Sequence, residues 1–356
     1  MSALSQGLVS GFRIGPRMNI SMRLFLCIVA GAVCGLAGSC APPPAARYQP
    51  SEYVWPLPPD VPRVRYVKSI WGDKDLALKS DALDFLAGEG SSNDLLKPFS
   101  VATDTTGKIF VTDTARRIVF VFDEKAAKTS FLGLKEKPFK QPVCVAVDAA
   151  GRIYVTDSGY HTVMVFNSDD RLISQYGKGI LNGPSGVAVD NDRRRVYVVS
   201  TKAHRIEVFS LDDGRHLFGF GSRGSGPGQF NYPSDIAVGP AGKLFVVDGM
   251  NFRVQILSSE GVYERQIGGM GDAPGQFTRP KGISVDAEGN IYVTDSAFNN
   301  FQIFNPEGRL LLIVGSGGVS MPGEFSLPAG IYVDQKRRIF VADQLNRRVQ
   351  IFERIN

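Results

Sequence analysis

Few side chains in this 356-residue sequence could do chemistry by themselves: three histidines, four cysteines and a recurring aspartate. His161 and His204 occupy equivalent places in successive segments, and His216 lies apart. A catalytic zinc ion ordinarily takes three convergent protein ligands, and this spacing offers two at best. Asp113, Asp157, Asp248, Asp295 and Asp343 recur once per segment. Such carboxylates could hold metal. One acid per repeat better suits a residue that accepts backbone hydrogen bonds and fixes a turn, since a single active site needs no such repetition. The run "GSRGSGPG" resembles a phosphate loop, but that chemistry needs a helix after the loop, and here another strand pattern follows. No catalytic residue, metal ligand or cofactor is therefore assigned.

The elements that carry these residues are set by a repeat. Pro98, Pro142, Pro184, Pro233, Pro280 and Pro328 recur at spacings of 44, 42, 49, 47 and 48 residues. Six residues after each stands Asp104, Asp148, Asp190, Gly239, Asp286 or Asp334. Each copy parses into four short strands, as in "GISVD", "IYVTD", "FQIF" and "RLLLIVG" of the fifth, with turns such as "DAEGN" and "NPEGR" between them. Four-stranded units at a period of 40–50 residues indicate propeller blades. The sixth copy stops after "VQIFERIN" and lacks its fourth strand. Residues 63–72, "RVRYVKSIWG", have the alternation of that strand and are expected to close the ring. The expected fold is all-β, a six-bladed β-propeller over residues 63–356, with residues 75–87 as a short helix or covering loop.

The segments "YVTDSGYHTVMVF", "FVVDGMNFRVQIL" and "FVADQLNRRVQIF", with the linkers "GSGPGQFNYP" and "GDAPGQFTRP", resemble the NHL repeat. The resemblance covers residues 95–356 and implies an NHL/TolB-like six-bladed architecture. Copies 1 and 3 are degenerate, Ser200 replacing the aspartate in the third. Some proteins with similar repeats are lyases with several histidines around a metal, so the resemblance also admits a metal-dependent lyase or lactonase-type enzyme with its site at the mouth of the central channel. Scarce histidines favour a binding or scaffolding module, without catalysis.

The N-terminus reads as an export signal. Arg13, Arg17 and Arg23 precede an apolar run over residues 24–33, followed by small residues and Cys40. "LAGSC" resembles the bacterial lipobox, with Ala37 where leucine is usual, and this implies lipidation of Cys40 and a signal peptide over 1–39. A plain signal peptide and an uncleaved anchor are the alternatives. The expected location is the cell envelope, anchored at the outer membrane and facing the periplasm. Cys27 and Cys34 would leave with the signal, so Cys144 has no disulfide partner and reads as a small core residue. The eight prolines of 41–62 suit a semi-rigid spacer that lies partly against the domain. The net charge of +5 falls to +2 once the first 39 residues, with three arginines and no acid, are set aside. That near balance, with export, argues against nucleic acid as a partner.

Function is expected on the face formed by the loops between second and third strands and by the blade-to-blade linkers, because these are the longer and more variable connections. Lys97, Gln141, Tyr232 and Arg279 precede the recurrent prolines, with Asp235 and Lys281 just after. Four residues past the repeated aspartate position come Arg117, His161, His204, Phe252, Asn299 and Arg347. Blades 6, 1, 2 and 3 thus present a basic and imidazole arc that could attract an anionic ligand or an envelope protein. The bland reading, that these residues only cap and solvate the turn, carries more weight. The clusters at 193–195 and 336–338 fall on the opposite, short-turn face, where solvated turns are favoured over contact with lipid or glycan.

Overall fold

A computed structural model describes residues 53–75, 93–133 and 137–355. The expected signal peptide, Cys40 and most of both the spacer and the 75–87 segment lie outside the described residues. Asp73–Asp75 forms a single turn of 3-10 helix.

Six antiparallel four-stranded sheets make the ring. Their first strands are Pro98–Thr103, Pro142–Val147, Pro184–Asp190, Pro233–Val238, Pro280–Val285 and Pro328–Val333. Four of the second strands, Ile109–Asp113, Ile153–Asp157, Leu244–Asp248 and Ile291–Asp295, are buried at every position. A strand covered on both faces by neighbouring blades must be apolar throughout, so these read as continuous hydrophobic runs. The outer strands Leu172–Tyr176 and Tyr263–Gly268 alternate half-buried and exposed positions, as expected with one face in water.

The core is divided into layers between blades. Phe110, Val155, Met164 and Phe166 pack between blades 1 and 2, and Val247, Ile256, Phe277 and Ile283 between blades 4 and 5. The layer between blades 6 and 1 includes Ile70 with Phe340, Val349 and Phe120. Hydroxyl side chains stitch these seams. Thr112 Oγ1 donates to the Val143 carbonyl (2.8 Å), Thr156 Oγ1 to Ser185 (2.6 Å) and Thr294 Oγ1 to Ala329 (2.5 Å). The threonine of each "VTD" therefore reaches the next blade.

Val64–Ile70 pairs antiparallel with Arg348–Arg354 and completes blade 6. Its buried side chains are Val64, Tyr66, Ser69 and Ile70. A fifth strand, Val54–Trp55, pairs in turn with Val64 and Arg65, so the proline-rich segment contributes an edge strand. The Trp55 ring meets Phe352 edge-on at 5.5 Å. It also covers Gly323, where an added Cβ would lie 2.2 Å from the indole.

Candidate functional site

The repeated aspartates are consumed by the scaffold. Asp157 accepts amide hydrogen bonds from Lys140 and Gln141 of the incoming linker and from Gly159 and Tyr160 of its own turn. Asp113 and Asp295 do the same in blades 1 and 5. In blades 4 and 6 part of that role passes to side chains. Asp248 holds Asn231 N, Asn251 Nδ2, Arg253 Nε and Gln255 Nε2. Asp343 holds Ser326 N, Asn346 Nδ2, Arg348 Nε and Gln350 Nε2. Arg253 and Gln255 then donate to the Gln229 carbonyl of the glycine-rich linker, and Arg348 and Gln350 to that of Glu324. The linker motif "PGQF" and the strand motif "RVQI" are thus two halves of one hydrogen-bonded unit, a pairing the sequence reading missed although both motifs were in view.

The position four residues past the aspartate is left-handed in every blade, with φ between 53° and 58° at Arg117, His161, His204, Phe252, Asn299 and Arg347. Three of these side chains clasp the next blade. His161 Nδ1 accepts the Gly183 amide (3.0 Å), His204 Nδ1 accepts Tyr232 N (3.1 Å) and Asn299 Oδ1 accepts Leu327 N (2.9 Å). An Nδ1 that accepts an amide hydrogen is not free to ligate metal. Among the described residues no group of three histidine, cysteine, aspartate or glutamate side chains converges as a metal site. His204 is buried, whereas Arg117, His161, Arg347, Lys97, Gln141, Tyr232 and Arg279 are exposed. The Tyr232 ring packs edge-on against His204 at 4.5 Å. His216 lies on the outer strand of blade 3, with Nε2 2.8 Å from Glu207.

This linker face has a distinctive surface. Among the described residues fourteen large hydrophobic side chains are exposed, and nine of them stand in its loops: Trp71, Leu96, Ile180, Tyr232, Met250, Met270, Val319, Met321 and Leu345. Between them Lys97, Arg117, Arg279, Lys281 and Arg347 make no ion pair with any of the described residues. The arginines of the opposite face are used differently. Arg193 pairs with Asp190, Arg194 with Asp212 and Arg195 with Glu260. Arg337 pairs with Glu288, and Arg338 with Asp334. Lys336 alone of the two clusters makes no ion pair.

The central channel is wide toward the short-turn face, with a cavity of about 390 Å³, and narrows to a throat of about 10 Å³ toward the linker face. Asp235 and Cys144 line both. The Asp235 carboxylate accepts the amides of Ile236 (2.9 Å) and Ile283 (3.1 Å), and Cys144 Sγ lies 3.9 Å from its Oδ1. Burial raises the Asp235 carboxyl to about 7, against the lowering effect of these amides and Lys281. Burial also raises the Cys144 thiol to about 12, with the Asp235 charge adding to it, so the thiol is protonated and unreactive. Lys281 is shifted down, chiefly by burial and then by Arg279.

Six four-stranded blades closed by an N-terminal strand define a six-bladed β-propeller. Residues 240–292 match a family described as a 6-bladed beta-propeller, and residues 139–166 match the NHL repeat. Over 96 residues the chain is 34% identical to the protein brain tumor of Drosophila melanogaster, a stretch that is 25% of this chain and 9% of that protein. Among solved structures, virginiamycin B lyase from Staphylococcus aureus superposes with a TM-score of 0.54 at 14% identity, covering 73% of this chain and 95% of the lyase. An auxiliary nutrient binding protein from Bacteroides ovatus gives 0.58 at 14% identity, covering 74% and 70%. Identities this low speak to the fold. The chain folds as a six-bladed β-propeller, and one of its blades matches the NHL repeat.

Proposed function

We propose that this propeller is a binding module of the cell envelope, tethered by lipid at Cys40, that docks a partner protein through its linker face. The observation that carries the reading is the segregation of exposed apolar side chains onto one face, interleaved with cations that make no ion pair among the described residues. Large apolar side chains gathered on one face mark interaction surfaces more often than scattered ones do. The cations would steer an acidic partner and set its orientation, while Tyr232, Trp71 and Leu345 would supply the anchors. Arg117, His161, Arg279, Asn299 and Arg347 belong to the same surface. In this reading His204 acts from beneath by holding Tyr232. The exhausted hydrogen-bonding capacity of the repeated aspartates and of both histidine Nδ1 atoms supports binding over catalysis.

The test is site-specific photo-crosslinking in intact cells. A benzoylphenylalanine at Tyr232 or Leu345 is expected to capture a defined protein, and one at Thr105 on the opposite face is not. Identical products from both faces, or none from either, would overturn the proposal. Incorporation of radiolabelled palmitate, lost on Cys40→Ala, tests the anchor separately.

A further inference from the structure

The channel's wide end is a built site on the face opposite the proposed docking surface. Its walls are the fifth residues of the six first strands: Ala102, Ala146, Ala188, Ala237, Ser284 and Tyr332. Alanine in four blades keeps open a space that larger side chains would fill. The floor is made two residues deeper, where Ser100, Cys144 and Asp235 share the ring with Gly186, Gly282 and Gly330. An added Cβ at Gly186 would lie 2.7 Å from the Asp235 Cα, at Gly282 2.8 Å from the Gly330 Cα, and at Gly330 2.8 Å from the Ser100 Cα. These glycines let neighbouring strands approach and draw the lumen in beneath the cup.

The result is a cup with a collar of alanines, polar groups at its rim and one carboxyl at its base. Its volume of about 390 Å³ lies within the range of small-molecule sites. Four carboxylates (Asp104, Asp148, Asp235, Asp334) and two cations (Lys336, Arg338) line it, and Arg338 is already paired with Asp334. Asp235 accepts two amides and, at 3.9 Å, the Cys144 thiol, which leaves acceptor capacity on its oxygens for a ligand. The charged and titratable groups nearest it are the Cys144 thiol, which stays neutral, and the Lys281 ammonium beyond the throat. With Asp235 ionised, the lining carboxylates outnumber the cations even when Lys281 is counted.

We propose that this cup binds a small amphiphilic primary amine, its ammonium on Asp235 and its hydrocarbon body against the alanine collar. The carboxyl of Asp235 ionises near pH 7, so binding an ammonium, charged throughout, strengthens as pH rises from 6 to 8. The ionised fraction changes by about tenfold over that interval, and affinity should follow it.

The experiment titrates n-hexylamine hydrochloride, 1-hexanol and sodium hexanoate into the full-length protein by calorimetry at pH 6, 7 and 8. Hexylammonium is expected to bind most tightly and to lose about tenfold in affinity between pH 8 and pH 6. Asp235→Asn should weaken hexylammonium about tenfold or more at pH 8 and flatten the pH dependence. Ala188→Phe, which fills the cup, should weaken it at every pH. The ranking and pH dependence of the unsubstituted protein stand even if a variant fails to fold. Equal affinity for hexanol or hexanoate, unchanged behaviour of a folded Asp235→Asn, or no binding of the amine would overturn the assignment.

Discussion

Replacing Asp343 by alanine is the sharpest test of the scaffold role of the repeated aspartates. The carboxylate is fully buried and holds four donors, one being Arg348, which is itself 2% exposed. Removing it leaves a buried guanidinium without its counter-charge. Such a loss costs about 3–5 kcal/mol, more than a neutral hydrogen bond would. For a domain of roughly 300 residues the unfolding entropy converts this to a fall in Tm of about 5–8 °C. Removing the stranded partner as well, in Asp343→Ala/Arg348→Met, should restore part of the loss, because no unpaired charge remains. Asp295→Ala in blade 5, whose carboxylate holds backbone amides and no arginine, should cost less than Asp343→Ala. The assay is chemical denaturation of each variant with a double-mutant cycle. A single variant within about 0.5 kcal/mol of the parent, or a double variant as costly as the sum of its parts, would refute the argument.

Other consequences can be measured directly. His204→Asn should be tolerated, because asparagine accepts the same backbone geometry and can receive the Tyr232 amide, whereas His204→Val should destabilise by about 1–3 kcal/mol in a denaturant melt. Asp235 is raised above its unfolded value, so the folded state holds its proton more tightly. Stability should fall as pH rises from about 4 to about 7 and then level off, with Asp235→Asn removing the trend and being the more stable form at pH 8 by about 1–3 kcal/mol. Urea midpoints for both proteins at pH 5 and 8 decide the matter. Deleting residues 53–70 should leave an aggregating chain with no cooperative melt, because Val64, Tyr66 and Ile70 leave the core and the Arg348–Arg354 edge is uncovered. A soluble, cooperatively melting product would show that closure is dispensable.

The ring was legible because its signal is repeated. Six prolines and their trailing acids fix the blade count, and the alternation of "RVRYVKSIW" marks the missing strand. Loop roles were less legible, since a histidine in a turn looks the same whether it faces a ligand or clasps a neighbour. What decides for His161 and His204 is the amide that lies 3.0–3.1 Å away on the next blade, and sequence carries no such distance. The cup was missed for a related reason. Ala102, Ala146, Ala188 and Ala237 look like ordinary strand residues, and only their convergence on one axis turns their smallness into a cavity. Asp235 was noted on the linker face; it stands at the throat and also lines the cup beyond it.

Closure by Val64–Ile70 also sets a timetable. Arg65 and its partner Glu353 are separated by 288 residues of chain, so on the ribosome the strand that seals blade 6 emerges long before the strand it must pair with. Until synthesis reaches that point, five blades can form while the seal stays unmade, and a pairing so remote in sequence is intrinsically slow. The ring cannot lock until nearly the whole polypeptide is available.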